Sequence, residues 1–322
     1  MNILKPSRRD ILKLAAAAPA LVLPVPALAA LGPPAGQQAS HFRFTLGQAA
    51  VTIVSDGYFT MPTSGLGPNA DRDQVAAFLE AHYLDATDAY RHTNHLYVEI
   101  GEAKLLVDVG SGDRFFDTAG RLMGNLAAAG IDADAITHVV ITHAHPDHIL
   151  GLRDDFDEPI LQNAEWFIGE TEIDYWLQDD LVNRVAPEEQ AFVLAAVNSI
   201  NAEGQQWTTV RPGQSILPGV SIVATPGHTP GHIALMIESE GQMLIAAGDA
   251  LTNVYMDFAH PDWGIERDHD IAMAADSRKR LLDMAASDGI ALLGYHFPFP
   301  GVGQVMRDGG AYRFIPALWR WP

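Results

Sequence analysis

The chain reads as an α/β protein with sheets packed together at its centre and helices outside. Three observations predict this. Hydrophobic residues make up 48% of the 322 residues, enough for a sizeable core in one large or two small domains. Apolar runs of strand length alternate with helical segments in two similar halves, with no repeat detectable in the sequence itself. Several of those runs lead directly into histidine or aspartate.

The elements follow in order. Ser7-Arg8-Arg9-Asp10-Ile11-Leu12-Lys13 resembles a twin-arginine export signal. The apolar stretch Leu14–Leu28 follows, and Ala27-Leu28-Ala29 fits a small-x-small cleavage site. Pro19, Pro24 and Pro26 argue against a spanning helix. Residues 1–29 are therefore expected to be a cleaved signal peptide that sends the protein to the periplasm or the medium, and residues 30–322 the mature domain, with 30–40 a linker. Residues 41–62 alternate like two strands around Gly47-Gln48, and 71–84 look helical with Asp71 as cap. Residues 94–110 form a hairpin turning at Gly101-Glu102, 114–129 an amphipathic helix ending at Gly130, and 136–148 a buried strand. Residues 165–207 are aromatic-rich and largely helical. Strand regions follow in "GVSIVATPGHTPGHIALMIES" and "GQMLIAAGDAL", then a helix over 271–287 and a last strand in "GIALLGYHFPFPG".

The segment "ITHAHPDH" at 141–148 is the strongest chemical signal. Histidine and carboxylate ligate Zn²⁺ and similar divalent ions, and the absence of cysteine rules out thiolate ligands and disulfides. His143 and His145 are two apart and point to one side of an extended segment, whereas Asp147 and His148 follow the turn at Pro146. One tetrahedral ion cannot take all four from so short a loop, but two adjacent ions can. His228, Asp249 and His296, each following a strand-like run, are candidates to complete them. His41, His82, His92, His138 and His269 have no motif around them. His232 reads as structural, and His95 and His260 could line a pocket.

Taken in order, H-x-H-x-D-H, a His in a T-P-G-H turn, a strand followed by G-D and a strand followed by His resemble the metallo-β-lactamase superfamily, as does "LLVDVGSG" at 105–112. The resemblance covers roughly residues 45–305. It implies a four-layer αβ/βα sandwich with metals at one sheet edge. His143, His145 and His228 would hold one ion, Asp147, His148 and His296 the other, and Asp249 would bridge them. The cofactors implied are two divalent metal ions, Zn²⁺ first, with Mn²⁺, Co²⁺ or Fe²⁺ as alternatives. The chemistry implied is hydrolysis of an ester, lactone or phosphotriester by a metal-bridging hydroxide, with Asp147 and Asp249 as catalytic residues. A mononuclear-iron oxygenase and an inactive metal-binding protein are the alternatives on this scaffold.

The bridging aspartate points to the glyoxalase-II-like, lactonase and phosphotriesterase branches. Scarce Lys and Arg speak against glyoxalase II. The export signal, "AEWFIGETEIDYW" and "GYHFPFPG" look most like the methyl parathion hydrolase group. Phe115, Phe116, Trp166, Trp176 and Phe299 are then candidates for an aromatic pocket taking an apolar substrate. A net charge of −20 argues against nucleic acid as partner. The expected partner is a small molecule, with no stable membrane insertion once the signal is removed, and a homodimer is compatible with the sequence.

Replacing Arg8 and Arg9 together by lysine is expected to leave the full-length protein in the cytoplasm. Normal export and processing of the double variant, followed by fractionation and immunoblot, would refute the twin-arginine reading.

Overall fold

Period-two alternation in the apolar strands decides the layering. The computed structural model describes residues 39–154 and 156–319, so the expected signal peptide lies outside the described residues. The first half contains β1 (His41–Leu46), β2 (Ala49–Pro62), α1 (Arg72–Ala81), β3 (Asp88–Ile100), β4 (Ala103–Val107), α2 (Leu122–Ala128), β5 (His138–Ile141), α3 (Pro146–Ile149), β6 (Glu165–Gly169), α4 (Glu170–Trp176), α5 (Leu181–Arg184), α6 (Gln190–Ile200) and β7 (Thr208–Val210). Its strands form one seven-stranded sheet in chain order, antiparallel as far as β4 and parallel from β4 to β7.

The second half contains β8 (Ser215–Leu217), β9 (Val220–Ala224), β10 (Ile233–Ser239), β11 (Gln242–Ala246), α7 (Met256–Ala259), α8 (Ile271–Asp288), β12 (Ala291–Leu293), β13 (Val302–Asp308) and β14 (Ala311–Pro316). Its strands form a second seven-stranded sheet, again in chain order, with β11 and β12 parallel.

Leu105, Val107, Val140 and Phe167 of the first sheet meet Ile222, Leu235, Leu244 and Leu293 of the second in a shared inner layer. Their chain neighbours point the other way. Leu106, Val139, Ile141 and Ile168 pack under Leu122, Leu126, Val193 and Ile200 of the first half's helices. Ala234, Ile245 and Leu292 pack under Leu281, Leu282 and Ala285 of α8. The result is the four-layer αβ/βα sandwich.

The helix caps follow local chemistry. Asp71 accepts from Asp73 N and Gln74 N at the start of α1, and Asp270 accepts from Met273 N at the start of α8, which ends at Gly289 in the left-handed region.

Three expectations need correcting. The helix expected over 114–129 is only Leu122–Ala128, because Gly112 and Gly120 take positive φ (56° and 78°) and Asp56 accepts from Ser111 N and Leu122 N, holding the intervening loop. Residues 165–169 are a strand between β5 and β7, as aromatic and β-branched "EWFIG" prefers. The strand at Ala291–Leu293 is not the last, since the β13–β14 hairpin follows it.

Leu106 is wholly buried between sheet and helices. Leu106→Ala is expected to lower stability by about 2–5 kcal/mol, measured by urea unfolding at fixed metal concentration.

Candidate metal centre

Parallel strands end their apolar runs on one edge, and the next residues of several strands converge there. β5 leads into His143 and His145, with Asp147 and His148 on α3. β9 leads into His228, β11 into Asp249 and β12 into His296. All seven side chains are buried.

Their ligand atoms form three overlapping groups, each with its atoms within 4.8 Å of one another: His143, His145 and His228; His143, His148 and Asp249; Asp147, His148 and His296. Nδ1 of His145 lies 3.0 Å from Nε2 of His143 and 3.0 Å from Nε2 of His228. Asp249 faces both ends of the cluster. Its Oδ1 is 3.2 Å from His148 Nε2, and its Oδ2 is 3.0 Å from His296 Nε2 and 3.3 Å from His228 Nε2. Asp147 Oδ2 lies 3.3 Å from His148 Nε2 and 3.4 Å from His296 Nε2.

Residues around the cluster fix the other face of each ring. Asp108 Oδ2 sits 2.8 Å from His148 Nδ1, Asp268 Oδ1 2.9 Å from His228 Nδ1, and the His92 carbonyl 2.8 Å from His296 Nδ1. Such partners select the tautomer that presents Nε2 inward. Asp108 also accepts from Thr142 N and Oγ1, tying the "LLVDVG" turn to the start of the histidine loop. Tyr295 Oη donates to the Asp147 carbonyl, and its ring lies 4.0 Å from the ring of His148.

Protonation follows from burial and neighbours. Burial first, and then adjacent imidazoles, push the pKa of His143 and His145 well below the usual histidine value. Burial opposes ionisation of Asp147, but His148 and His296 outweigh it and hold Asp147 down to about 2. Asp249 is held well below the usual carboxylate range in the same way, by His296 and His148 against burial. Burial disfavours charge on His148, yet Asp147, Asp249 and Asp108 together raise its pKa well above the usual value.

Neutral rings and ionised carboxylates are what a divalent cation requires of its ligands, and the His148 proton is the one a cation would displace. The residues fit such ions by a second observation. Asp147 Oδ2, His148 Nε2 and Asp249 Oδ1 are buried and have no hydrogen-bond partner, although they face one another. Buried polar atoms left so are rare and costly unless something else binds them.

The aromatic candidates divide. Phe116 stacks on Phe59 at 5.1 Å, and Phe59 meets His296 edge-on at 5.5 Å. Phe115 contacts Phe116, Phe59 and Phe192, and Phe192 meets His145 edge-on at 5.6 Å. Trp176 lies 5.9 Å from His145. These rings form a wall from one end of the cluster to the other. Phe115 and Phe116 also line an open cavity of about 530 Å³ with Tyr58 and Tyr90.

Trp166 and Phe299 do not join this wall. Trp166 is the second residue of β6, at the end away from the edge on which the clustered residues gather, and packs on Trp207 in the outer core. Phe299 turns toward Trp319 and lines a separate cavity with Val254, Tyr255 and Phe314.

Sequence reasoning missed Phe59, Phe192 and Arg267. Phe192, in "AFVLAAV", carries the pattern of an ordinary core helix, and Phe59 that of a strand. Arg267 lies over the Phe192 ring at 4.5 Å and lines a small cavity of about 50 Å³ with His145, Tyr175, His228 and His269. His269 therefore borders the site, where no motif had marked it. His95 bonds the Tyr295 hydroxyl rather than lining a pocket, and His260 stacks on Trp263. His232 props the centre from behind, since Asp249 N donates to its Nε2 at 2.9 Å. A separate cavity of about 670 Å³ is lined by Arg114, Arg153 and Glu203 and contains none of the seven clustered residues.

Comparison with known proteins agrees with this geometry. Residues 90–289 match the family model for the Metallo-beta-lactamase superfamily. An N-acyl homoserine lactonase of Bacillus sp is 26% identical over 171 residues, 52% of this chain and 58% of that protein. The N-acyl homoserine lactonase AiiA of Bacillus thuringiensis subsp. kurstaki is 25% identical over 170 residues, with the same coverage. The chain thus spans somewhat over half the length of these curated relatives.

Among solved structures, AidC, a dizinc quorum-quenching lactonase, superposes with a TM-score of 0.76 at 25% identity, covering 87% of this chain and 98% of AidC. The hydrolase AbOPH of the beta lactamase superfamily superposes with a TM-score of 0.81 at 26% identity, covering 88% of this chain and all of that one.

Adding Zn²⁺ to chelator-treated protein is expected to raise the melting temperature, because ions that bind only the folded cluster stabilise it by about 2.7 kcal/mol at a hundredfold excess over Kd. Differential scanning calorimetry showing no shift would contradict metal binding here.

Proposed function

The chain belongs to the metallo-beta-lactamase superfamily, and from that premise we propose that it is a hydrolase that works with two divalent metal ions, zinc first, on a lactone or ester. The observation that carries this reading is the position of Asp249 between the two ends of the cluster, one oxygen toward His148 and the other toward His228 and His296. His143, His145 and His228 would hold one ion, Asp147, His148 and His296 the second, and Asp249 would touch both. When bound, the pair supplies Lewis acidity and makes water a nucleophile at neutral pH.

The chain's own groups do the rest. Asp249 keeps the two ligand sets close together and is itself held by the backbone bond from its N–H to His232. Asp108 and Asp268 hold His148 and His228 in orientation. Asp147 is steadied through its carbonyl by Tyr295. The wall of Phe59, Phe115, Phe116 and Phe192 gives an uncharged apolar group a surface beside the cluster.

Lactones are the favoured substrate class. The superposed AidC and the partial relatives are lactonases, and a lactone with an apolar arm matches the aromatic wall. Phosphotriesters of the kind taken by the methyl parathion hydrolase group are the second reading, which the flat Phe59–Phe116 stack supports through an aryl leaving group. Export by the twin-arginine route would deliver such an enzyme, already folded, to substrates outside the cytoplasm.

Asp249→Ala should cost at least about 10²-fold in kcat at saturating metal, the scale of a lost electrostatic contribution in such a site. His232→Ala should cost less, because it removes a prop of the Asp249 backbone rather than a ligand. Rates on a panel of lactones, aryl esters and phosphotriesters check both the ranking and the substrate class. Near-wild-type turnover by Asp249→Ala would overturn the bridging role.

A further inference from the structure

Glu172 lies on α4, is wholly buried, and forms an acceptor for four donors. Its Oε1 accepts from Ala144 N at 2.9 Å and from Trp176 Nε1 at 2.6 Å. Its Oε2 accepts from Thr229 Oγ1 at 2.6 Å and from Gly231 N at 3.1 Å. Ala144 stands between His143 and His145, and Thr229 follows His228. One carboxylate therefore joins a loop that leaves the first sheet to a turn that leaves the second.

The contact is close on the backbone side as well. A Cβ on Gly231 would lie 2.0 Å from Glu172 N and 2.4 Å from its Cα, so the turn rests directly on the first turn of α4 and only glycine permits it. The other ligand set is held by different groups: Asp108 on His148, the His92 carbonyl on His296 and Tyr295 on the Asp147 carbonyl.

We propose that Glu172 is a positioning residue that sets the spacing between the His143–His145 loop and the His228 turn, and so governs the affinity of the three-histidine site for its ion while leaving the Asp147–His148–His296 site alone. The inference rests on the two-metal reading above. The donor pattern specifies how substitution acts. Both partners of Oε1 are N–H groups that only donate, and so is Gly231 N on the other oxygen, whereas the Thr229 hydroxyl can turn round and accept. The amide of Glu172→Gln can keep Oε1 toward Ala144 and Trp176 and donate to Thr229, losing only the Gly231 bond. Glu172→Leu loses all four.

The test is zinc release from the full-length, zinc-loaded protein on titration with a chromogenic chelator, alongside thermal melts of the metal-free forms. Wild type should release two ions. Glu172→Leu should hold one of them about 10- to 100-fold more weakly, the scale of an outer-sphere substitution, and the other unchanged. Glu172→Gln should fall between the two, with a metal-free melting temperature near wild type, which separates ligand spacing from folding. Fewer than two ions in wild type would overturn the two-metal reading. Two ions in wild type with unchanged release from Glu172→Gln, or with both ions weakened equally, would overturn the role given to Glu172. If Glu172→Leu fails to fold, Glu172→Gln alone decides.

Discussion

The constraint on which the rest of the structure depends is electrostatic: Asp147 and Asp249 are ionised while buried within about 3 Å of imidazole nitrogens that also face one another. Charges taken out of water are stable only when paired, hydrogen-bonded or bound to a cation. The surroundings are arranged accordingly. Asp108 and Asp268 orient histidines from behind, backbone carbonyls serve where carboxylates do not, and the strands beneath are almost entirely Val, Ile, Leu and Ala. A soft core could not hold so many mutually repelling atoms in register. The two seven-stranded sheets supply the rigidity.

Much of this was legible in the sequence because the relevant patterns are short and periodic. Strands that alternate between an inner and an outer hydrophobic layer leave a plain signature in "KLLVDVG" and "HVVITH", and ligands placed directly after them need no long-range inference. The histidines and aspartates of the cluster could be named because His-x-His-x-Asp-His is dense and its completing residues follow strands in order. The walls of the pocket were harder to read. Whether an aromatic ring faces a cleft or a core depends on contacts between distant segments, and no local pattern separates Phe192, which meets His145, from Trp166, which meets Trp207. The loop after β4 is hard to read for a related reason. Its composition suits a helix, but Asp56, more than fifty residues earlier in the chain, captures its backbone N–H groups.

The pocket is also less uniform than an aromatic list suggests. One side is a continuous run of phenylalanines. At the Phe192 end of that run Arg267 lies on the ring, beside Tyr175 and His269, whose side chains are 3.3 Å apart. A guanidinium stacked on a ring is partly relieved of water, and that of Arg267 also faces Glu189, its Nη1 3.8 Å from Glu189 Oε1. Apolar and polar groups thus meet at the Phe192 end of the aromatic wall, beside His145.

Strand order carries a last consequence. Each sheet uses only its own half of the chain, in sequence, yet the clustered side chains come from both: His143, His145, Asp147 and His148 from the first half and His228, Asp249 and His296 from the second. Neither half can assemble the complete centre by itself. The amino-terminal half alone offers only an incomplete set of donors, and the inner face of its sheet is covered only by the carboxy-terminal sheet. On the two-metal reading proposed above, full occupancy would require both halves, and bound ions would report their correct pairing.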